Sequence, residues 1–391
     1  MYLATASGTI YAFIYSIMTL NELTTLEKLN NAFYGCTKIS YWKESTQRYR
    51  ANLLIKNIEL QEDLRTGNYK VSKTTDFTIN ERGKMRDINA PAVRDRVVQK
   101  VLCRQILIPY LSKPLIYDNY ASLKCRGTTF ARKRVDVFLH RFIRRHGTDG
   151  YVLLIDIKKY FNSIDHDILK RMVHERIHEP QEIMDLIDYV IDTSSDSDIG
   201  LNLGAEAPQI FAIYYLASLD NYMKSVKGVK YYGRYMDDMI VITRTKAQAR
   251  QVLEEIKAQL KKVNLSVNDR KTRITPLRRG FTFLQVKYNI VGQKIIKRPT
   301  RPKIVRERRR LKKYRKKLDC GRMMPEDILN SYKSWRYAVL KDCPQSRRSI
   351  HQMDRLYKSL FPDTINRKKE SRERLIQEIF KDKEARSLWK P

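Results

Sequence analysis

Hydrophobic and polar residues change period several times along this chain, and each change marks an element. Between 24 and 64, apolar residues recur at helical spacing among Lys, Glu and Arg, which predicts two or three helices. Short β-like runs follow: Tyr69-Lys70-Val71-Ser72 and Asp76-Phe77-Thr78-Ile79 read as strands, with a turn at Glu81-Arg82-Gly83-Lys84. The stretch 84–91 leads into a helix whose apolar face holds Val93, Val97, Val98, Val101 and Leu102. Tyr151-Val152-Leu153-Leu154-Ile155 is a continuous apolar run, as expected of a buried strand, and Asp156 closes it. A helix is expected from about His166 to Arg176, and the turn 200–209 feeds a strongly apolar helix through Phe211, Tyr214, Leu216 and Leu219. Two apolar runs, 229–234 and 239–243, flank Tyr235-Met236-Asp237-Asp238 and predict a β-hairpin with two acids at its tip. An amphipathic helix (Val252, Ile256, Leu260, Val263) and Asn268-Asp269-Arg270-Lys271-Thr272 come next.

Strands and helices thus alternate around an antiparallel hairpin, an order that suits an α+β fold of ferredoxin-like type better than a doubly wound sheet. With 42% hydrophobic residues in 391, the chain can bury a substantial core arranged as two or three subdomains. Residues 1–21 carry no charge, and Ile10-Tyr11-Ala12-Phe13-Ile14-Tyr15 resembles a short secretory h-region without a basic flank. The expectation is a soluble cytoplasmic protein without a membrane span, with translation starting at either Met1 or Met18 and Asn21 as the candidate cap of the first helix. Five scattered cysteines without CxxC spacing suggest reduced structural thiols and no zinc site.

Charge changes the picture. Lys and Arg number 77 against 43 Asp and Glu, a net charge of +34, which predicts a polyanionic partner. Basic density peaks at 294–317, where Glu307 is the sole acid among bases that include Arg298, Arg301, Lys303, Arg308, Arg309, Lys312 and Lys313. A solvated helix face would explain such a run, but its position inside the chain favours a phosphate grip. Twenty-four tyrosines and three tryptophans add surfaces on which unpaired bases can stack.

The candidate chemistry centres on carboxylates. Adjacent acids at a turn repel each other unless a divalent ion lies beside them, although Asp is also common in ordinary hydrophilic turns. An acid ending a buried strand is costly unless paired or metal-bound. If that strand lies beside the hairpin, Asp156 and Asp237 can bridge two Mg²⁺ ions about 3.5–4 Å apart. Lys84, Arg86 and Arg94 are candidates to hold a triphosphate, or else exposed bases on a basic protein. Lys124-Cys125-Arg126-Gly127-Thr128-Thr129 is a loop in which glycine permits close approach to a phosphate or a template strand.

Taken in order, these elements resemble a reverse transcriptase over most of the chain. Asp156 with an aromatic five residues on, the glycine turn before a helix, the YMDD hairpin and a following lysine strand are similar to that family's motifs A to D. MRDINAPAVRDRVVQ is similar to the fingers of prokaryotic members. The resemblance implies a right-hand polymerase: an N-terminal extension (1–50), fingers with the first palm helix (51–150), a ferredoxin-like palm (151–290), and a basic helical thumb with a charged tail (291–391).

It also implies roles. Asp156 and Asp237, with the Ile157 carbonyl, would be ligands of two Mg²⁺ ions (Mn²⁺ as a substitute), and Asp238 the second acid of the pair. Phe161 falls at the steric gate that excludes a ribose 2′-hydroxyl, and Lys271 at the lysine that protonates departing pyrophosphate. Gly280-Phe281-Thr282-Phe283-Leu284 resembles the primer grip, but Gln285 stands where glycine is usual. The basic run and Ser331-Tyr332-Lys333-Ser334-Trp335 look like a thumb on the template-primer duplex.

Leu203-Gly204 with Gln209 resembles the aliphatic-Gly-x-x-x-Ser-Gln pattern of diversity-generating retroelement enzymes, with Pro208 replacing the serine. Gln before the glycine would resemble group II intron and many retron enzymes instead. An aliphatic residue cannot make the hydrogen bonds of Gln near the nascent pair, so the resemblance implies error-prone copying, especially opposite template adenine. Implied partners are a template RNA, the nascent cDNA and a small basic accessory protein. Competing readings are a phage-defence or retron-like enzyme, although the retron Val-Thr-Gly signature is missing, and an inactive RNA-binding scaffold.

Overall fold

The computed structural model describes residues 18–81 and 84–362, without the side chains of Glu81 and Lys84. The uncharged stretch 1–17, the turn at Arg82-Gly83, the Lys84 side chain and the tail from 363 lie outside the described residues.

In chain order the elements are α1 (Leu20–Leu23), α2 (Leu26–Thr37), α3 (Glu44–Ala51), α4 (Leu53–Arg65), the hairpin β1 (Thr75–Glu81) and β2 (Lys84–Ala90), α5 (Val93–Leu102) and α6 (Ile108–Leu111). Then come α7 (Thr128–His146), β3 (Tyr151–Asp156), α8 (His166–His174), α9 (Gln181–Asp192), α10 (Glu206–Tyr215), α11 (Ala217–Asn221), β4 (Tyr232–Tyr235) and β5 (Asp238–Thr243). The remainder is α12 (Lys246–Lys261), β6 (Arg273–Pro276), β7 (Phe281–Phe283), β8 (Val286–Val291), β9 (Lys294–Pro299), α13 (Arg301–Asp319), α14 (Pro325–Asp342) and α15 (Arg347–Leu360). The fold is α+β, with a four-stranded sheet in the order β4-β5-β3-β6, a β1-β2 ribbon and a three-stranded β7-β8-β9 sheet. Among the described residues no helix is long and apolar enough to cross a membrane.

The chain divides into two compact units. The first comprises Met1–Arg126, Ile155–Met239 and Leu253–Lys271. Its N-terminal helices form because their apolar stripes close on one another: Leu29, Phe33, Leu60, Val97, Val98 and Leu102 are all buried. The expected face of α5 is the buried one, from Val93 through Leu102. Three expectations need correction here. Thr19, not Asn21, caps α1, in a capping box in which its hydroxyl accepts from the Glu22 N–H and the Glu22 carboxylate accepts from the Thr19 N–H. Tyr69-Lys70-Val71-Ser72 is extended but unpaired as a strand, because its polar groups go to side chains. The Val71 N–H donates to the Tyr189 hydroxyl, while the Ser72 N–H and the Tyr69 hydroxyl donate to Asp95. The helix after Gly204 does not run through to Leu219; it starts at Glu206 and breaks at Leu216 before α11.

The second unit comprises Gly127–Leu154, Ile240–Val252 and Thr272–Pro391. In it β3 pairs antiparallel with β6, Leu153 opposite Ile274. The β7-β8 turn has both Leu284 (φ 43°) and Gln285 (φ 65°) in the left-handed region, where glycine would sit without strain. Buried Arg132 holds this turn by donating twice to the Leu284 carbonyl while pairing with Asp342. Helices α13 to α15 close on Leu311, Ile328, Tyr332, Met353, Tyr357 and Phe361. Glu307, the sole acid of the basic run, faces inward, is 3% exposed and pairs with Arg310; burial raises its carboxyl above the ordinary range.

Candidate active site

The first unit brings the expected carboxylates together at the C-terminal end of β3. Its apolar run buries Val152, Leu153 and Ile155, and Asp156 emerges at its end with a side chain 13% exposed. The hairpin turns at Met236-Asp237, so Asp237 sits in the turn and Asp238 opens β5. The Ile157 N–H donates to the Asp237 carbonyl at 3.3 Å, which fixes the end of one strand against the turn of the other. On the opposite edge the Asn268 N–H donates to the Asp156 carbonyl at 2.7 Å, and the Lys158 N–H to the Ser266 carbonyl at 2.9 Å. Ile157 is therefore turned the other way, so its own carbonyl looks toward the same edge as its N–H, the Asp237 side.

Both Asp156 oxygens are engaged. Lys271 Nζ donates to Oδ1 at 2.7 Å and Asn268 Nδ2 to Oδ2 at 2.9 Å. Asn268 grips this aspartate through backbone and side chain together, a role its sequence position gave no hint of. Lys271 lies in a turn before β6, not on a strand as expected. Burial, together with the charge of Asp156, pushes the Asp237 carboxyl above its ordinary range, against pulls from Lys271 and Arg86. Such a pair fits a divalent cation, which would remove both the repulsion and the cost of burial. Among the described residues no three His, Cys, Asp or Glu side chains stand close enough to hold a metal by themselves.

The glycine turn expected before α10 packs against β2 at Gly204. Its φ is 126°, and a Cβ there would lie 3.2 Å from the Asn89 carbonyl oxygen and 3.3 Å from Ile88 Cγ2 on β2. Phe161 lies in a short 3₁₀ turn, its carbonyl accepting from the Leu201 N–H at 2.8 Å and its ring edge-on to Tyr160. The 200–204 loop and the expected gate are thus joined through one backbone bond. Leu203 is half-buried, and the exposed Gln209 accepts from the Ser122 hydroxyl at 3.2 Å.

Other expected residues divide. Arg86, on β2, acts electrostatically on Asp237, whereas Arg94 pairs with Asp63 on α4 and lies over the Tyr69 ring at 5.4 Å. Lys124 is exposed, and Arg126 is folded back onto Tyr117, donating to its carbonyl and covering its ring at 4.8 Å. In the second unit Arg298, Arg301, Arg308, Arg309, Lys312 and Lys313 are exposed, while Lys303 is half-buried. Trp335 is half-buried and stacks on Tyr332, one helical turn away, against the Leu311–Phe361 cluster of α13 to α15. A further element escaped sequence reasoning: Arg234 on β4 is 0% exposed and forms a bidentate pair with Asp220 beneath the Met236-Asp237 turn.

The family model for reverse transcriptase (RNA-dependent DNA polymerase) matches residues 71–289. Protein YkfC of Escherichia coli (strain K12) is 25% identical over 294 residues, covering 64% of this chain and 74% of its own. Among solved structures, apo telomerase from Candida tropicalis truncated from the C-terminal domain is 15% identical with a TM-score of 0.45, over 61% of this chain and 59% of that one. Telomerase from Candida albicans in complex with a TWJ fragment of telomeric RNA is 13% identical with a TM-score of 0.49, over 77% and 56%. The chain spans less than two thirds of the length of these telomerase chains.

Proposed function

The chain belongs to the reverse transcriptase (RNA-dependent DNA polymerase) family, and from that premise we propose that it synthesises cDNA on an RNA template with elevated error, as the polymerase of a diversity-generating retroelement. The observation that carries the polymerase reading is the Ile157–Asp237 backbone bond, which brings two acids of distant sequence to one edge. Asp156, Asp237, Asp238 and the Ile157 carbonyl would hold two Mg²⁺ ions, or Mn²⁺ in their place, which supply activation of the primer 3′-hydroxyl and stabilise charge on the leaving pyrophosphate.

The chain's own residues do the rest. Asn268 keeps the Asp156 carboxylate aimed, and Lys271 stands at Asp156 as an ammonium that would release a proton to the leaving group. Arg86 adds positive charge where the triphosphate binds. Phe161 bounds the sugar pocket, and Leu203 with Gly204 meets the nascent base pair without hydrogen-bonding side chains of its own. The exposed bases of α13, with Lys124, track phosphates of template and product. A small basic accessory protein completes the proposed assembly in a bacterial or phage-infected cytoplasm.

Primer extension on an RNA template with Mg²⁺ and deoxynucleotides tests this, with Asp237→Ala as control and every cDNA sequenced. The expected result is Asp237-dependent cDNA with errors concentrated at template adenines, and fewer errors in Leu203→Gln. Accurate cDNA from the unaltered chain would remove the diversity-generating assignment. An absence of cDNA with or without Asp237 would remove the polymerase reading in favour of a binding scaffold.

A further inference from the structure

The catalytic turn is strained. Met236 has φ 52°, a left-handed conformation that a non-glycine residue keeps only when its surroundings enforce it. What enforces it lies directly beneath. The buried guanidinium of Arg234 donates through one terminal nitrogen to the Met236 carbonyl at 3.2 Å. Its other terminal nitrogen donates to the Ile213 carbonyl on α10 at 2.8 Å and to Asp220 Oδ2 at 2.6 Å, and Nε donates to Asp220 Oδ1 at 2.9 Å. Tyr232, also fully buried, donates its hydroxyl to the same Asp220 at 2.5 Å. The Arg234 backbone is held as well, its N–H donating to the Asp118 carbonyl and its carbonyl accepting from the Tyr120 N–H.

A buried ion pair is a poor device for stability, because desolvation offsets most of the attraction and apolar residues of like volume often serve as well. Its distinctive product is direction. One rigid planar fork is spent on three fixed acceptors: a helix carboxylate, the Ile213 carbonyl near the C-terminal end of α10, and the carbonyl of the residue preceding Asp237. We infer that Arg234 is a positioning residue for the catalytic turn, holding Asp237 in a set relation to α10 and α11; the inference rests on the proposed polymerase activity. Lysine cannot replace it, since a single ammonium does not span three acceptors in different directions.

The test compares the unaltered chain with Arg234→Lys and with an apolar replacement of the whole network, Arg234→Met with Asp220→Leu and Tyr232→Phe. Three quantities are read: cooperative thermal unfolding, kcat and KM for dTTP on a poly(rA) template with an oligo(dT) primer, and Mn²⁺ affinity of the protein alone by electron paramagnetic resonance. A displacement of about 1 Å at a reacting group costs on the order of 100-fold in rate. Both variants are therefore expected to unfold cooperatively, to lose about 100-fold in kcat with KM changed by less than about two-fold, and to bind Mn²⁺ several-fold more weakly. Normal kcat in either folded variant would overturn the inference. So would activity that falls only with the folded fraction while the folded protein keeps its Mn²⁺ affinity. If the unaltered chain makes no Asp237-dependent cDNA, it is the polymerase reading that fails, and the Mn²⁺ titration alone still decides the role of Arg234.

Discussion

Lys271 Nζ stands 2.7 Å from Asp156 Oδ1, so the base expected at the leaving group rests on the carboxylate expected to hold the metal. The Lys271 side chain is 59% exposed, and a contact so open to water is worth about 0.2–1 kcal/mol. A cation arriving at Asp156 must compete with it. Lys271→Met should therefore lower the half-saturating Mn²⁺ concentration by about two- to five-fold while reducing kcat. Paramagnetic resonance titration and single-turnover extension measure the two effects separately. Weaker metal binding in the variant would show that the ammonium does not oppose the ion.

Phe161 bounds the sugar pocket in the proposed reading. Removing the ring in Phe161→Ala should raise the kcat/KM ratio of ribonucleotide to deoxynucleotide by about 10- to 200-fold, with Asp237-dependent synthesis retained. Paired incorporation assays with UTP and dTTP read this ratio. An unchanged ratio would make Phe161 a packing residue of the 3₁₀ turn.

Gly204 occupies φ 126° with the Asn89 carbonyl oxygen 3.2 Å from where a Cβ would stand. Gly204→Ala meets both backbone strain and a neighbour on β2 that is itself backbone, so it should cost about 1–3 kcal/mol in urea unfolding. A variant as stable as the unaltered chain would mean that the 200–204 loop relaxes freely.

Glu307 gives a pH dependence with a definite sign. Burial raises its folded carboxyl above the ordinary range, against the pull of Arg310. Its stabilising contribution is thus fully present below the unfolded carboxylate value and is lost as pH rises through the folded one. Glu307→Gln should melt at higher temperature than the unaltered chain at pH 7, and the gap should shrink toward pH 4.5. A gap that grows on acidification would mean that ionised Glu307 stabilises α13 through Arg310.

How far the sequence reaches is visible at particular residues. Asp156 and Asp237 were legible because each interrupts an apolar run, and a carboxylate there lacks a packing reason. The buried face of α5 was legible from its period, and the fold class from the order of strands and helices. Other features depended on partners far along the chain. The pairing of Arg94 with Asp63, 31 positions away, and the stacking of half-buried Trp335 on Tyr332 over the α13–α15 cluster leave no mark in local periodicity. Lys271 looked like a strand residue, but the turn starting at Asn268 brings it onto Asp156.

What the sequence by itself determined is where the acids fall, because local periodicity and the cost of burying charge both act over a few residues. Only the tertiary structure decided what holds them. Asn268 reaches Asp156 across 112 positions, and Arg234 joins Asp220, Ile213 and Met236 from three different elements. Such hydrogen bonds carry no periodic signature. They are set by which backbone edges and buried donors the folded chain leaves facing one another, and each must be satisfied once water is excluded.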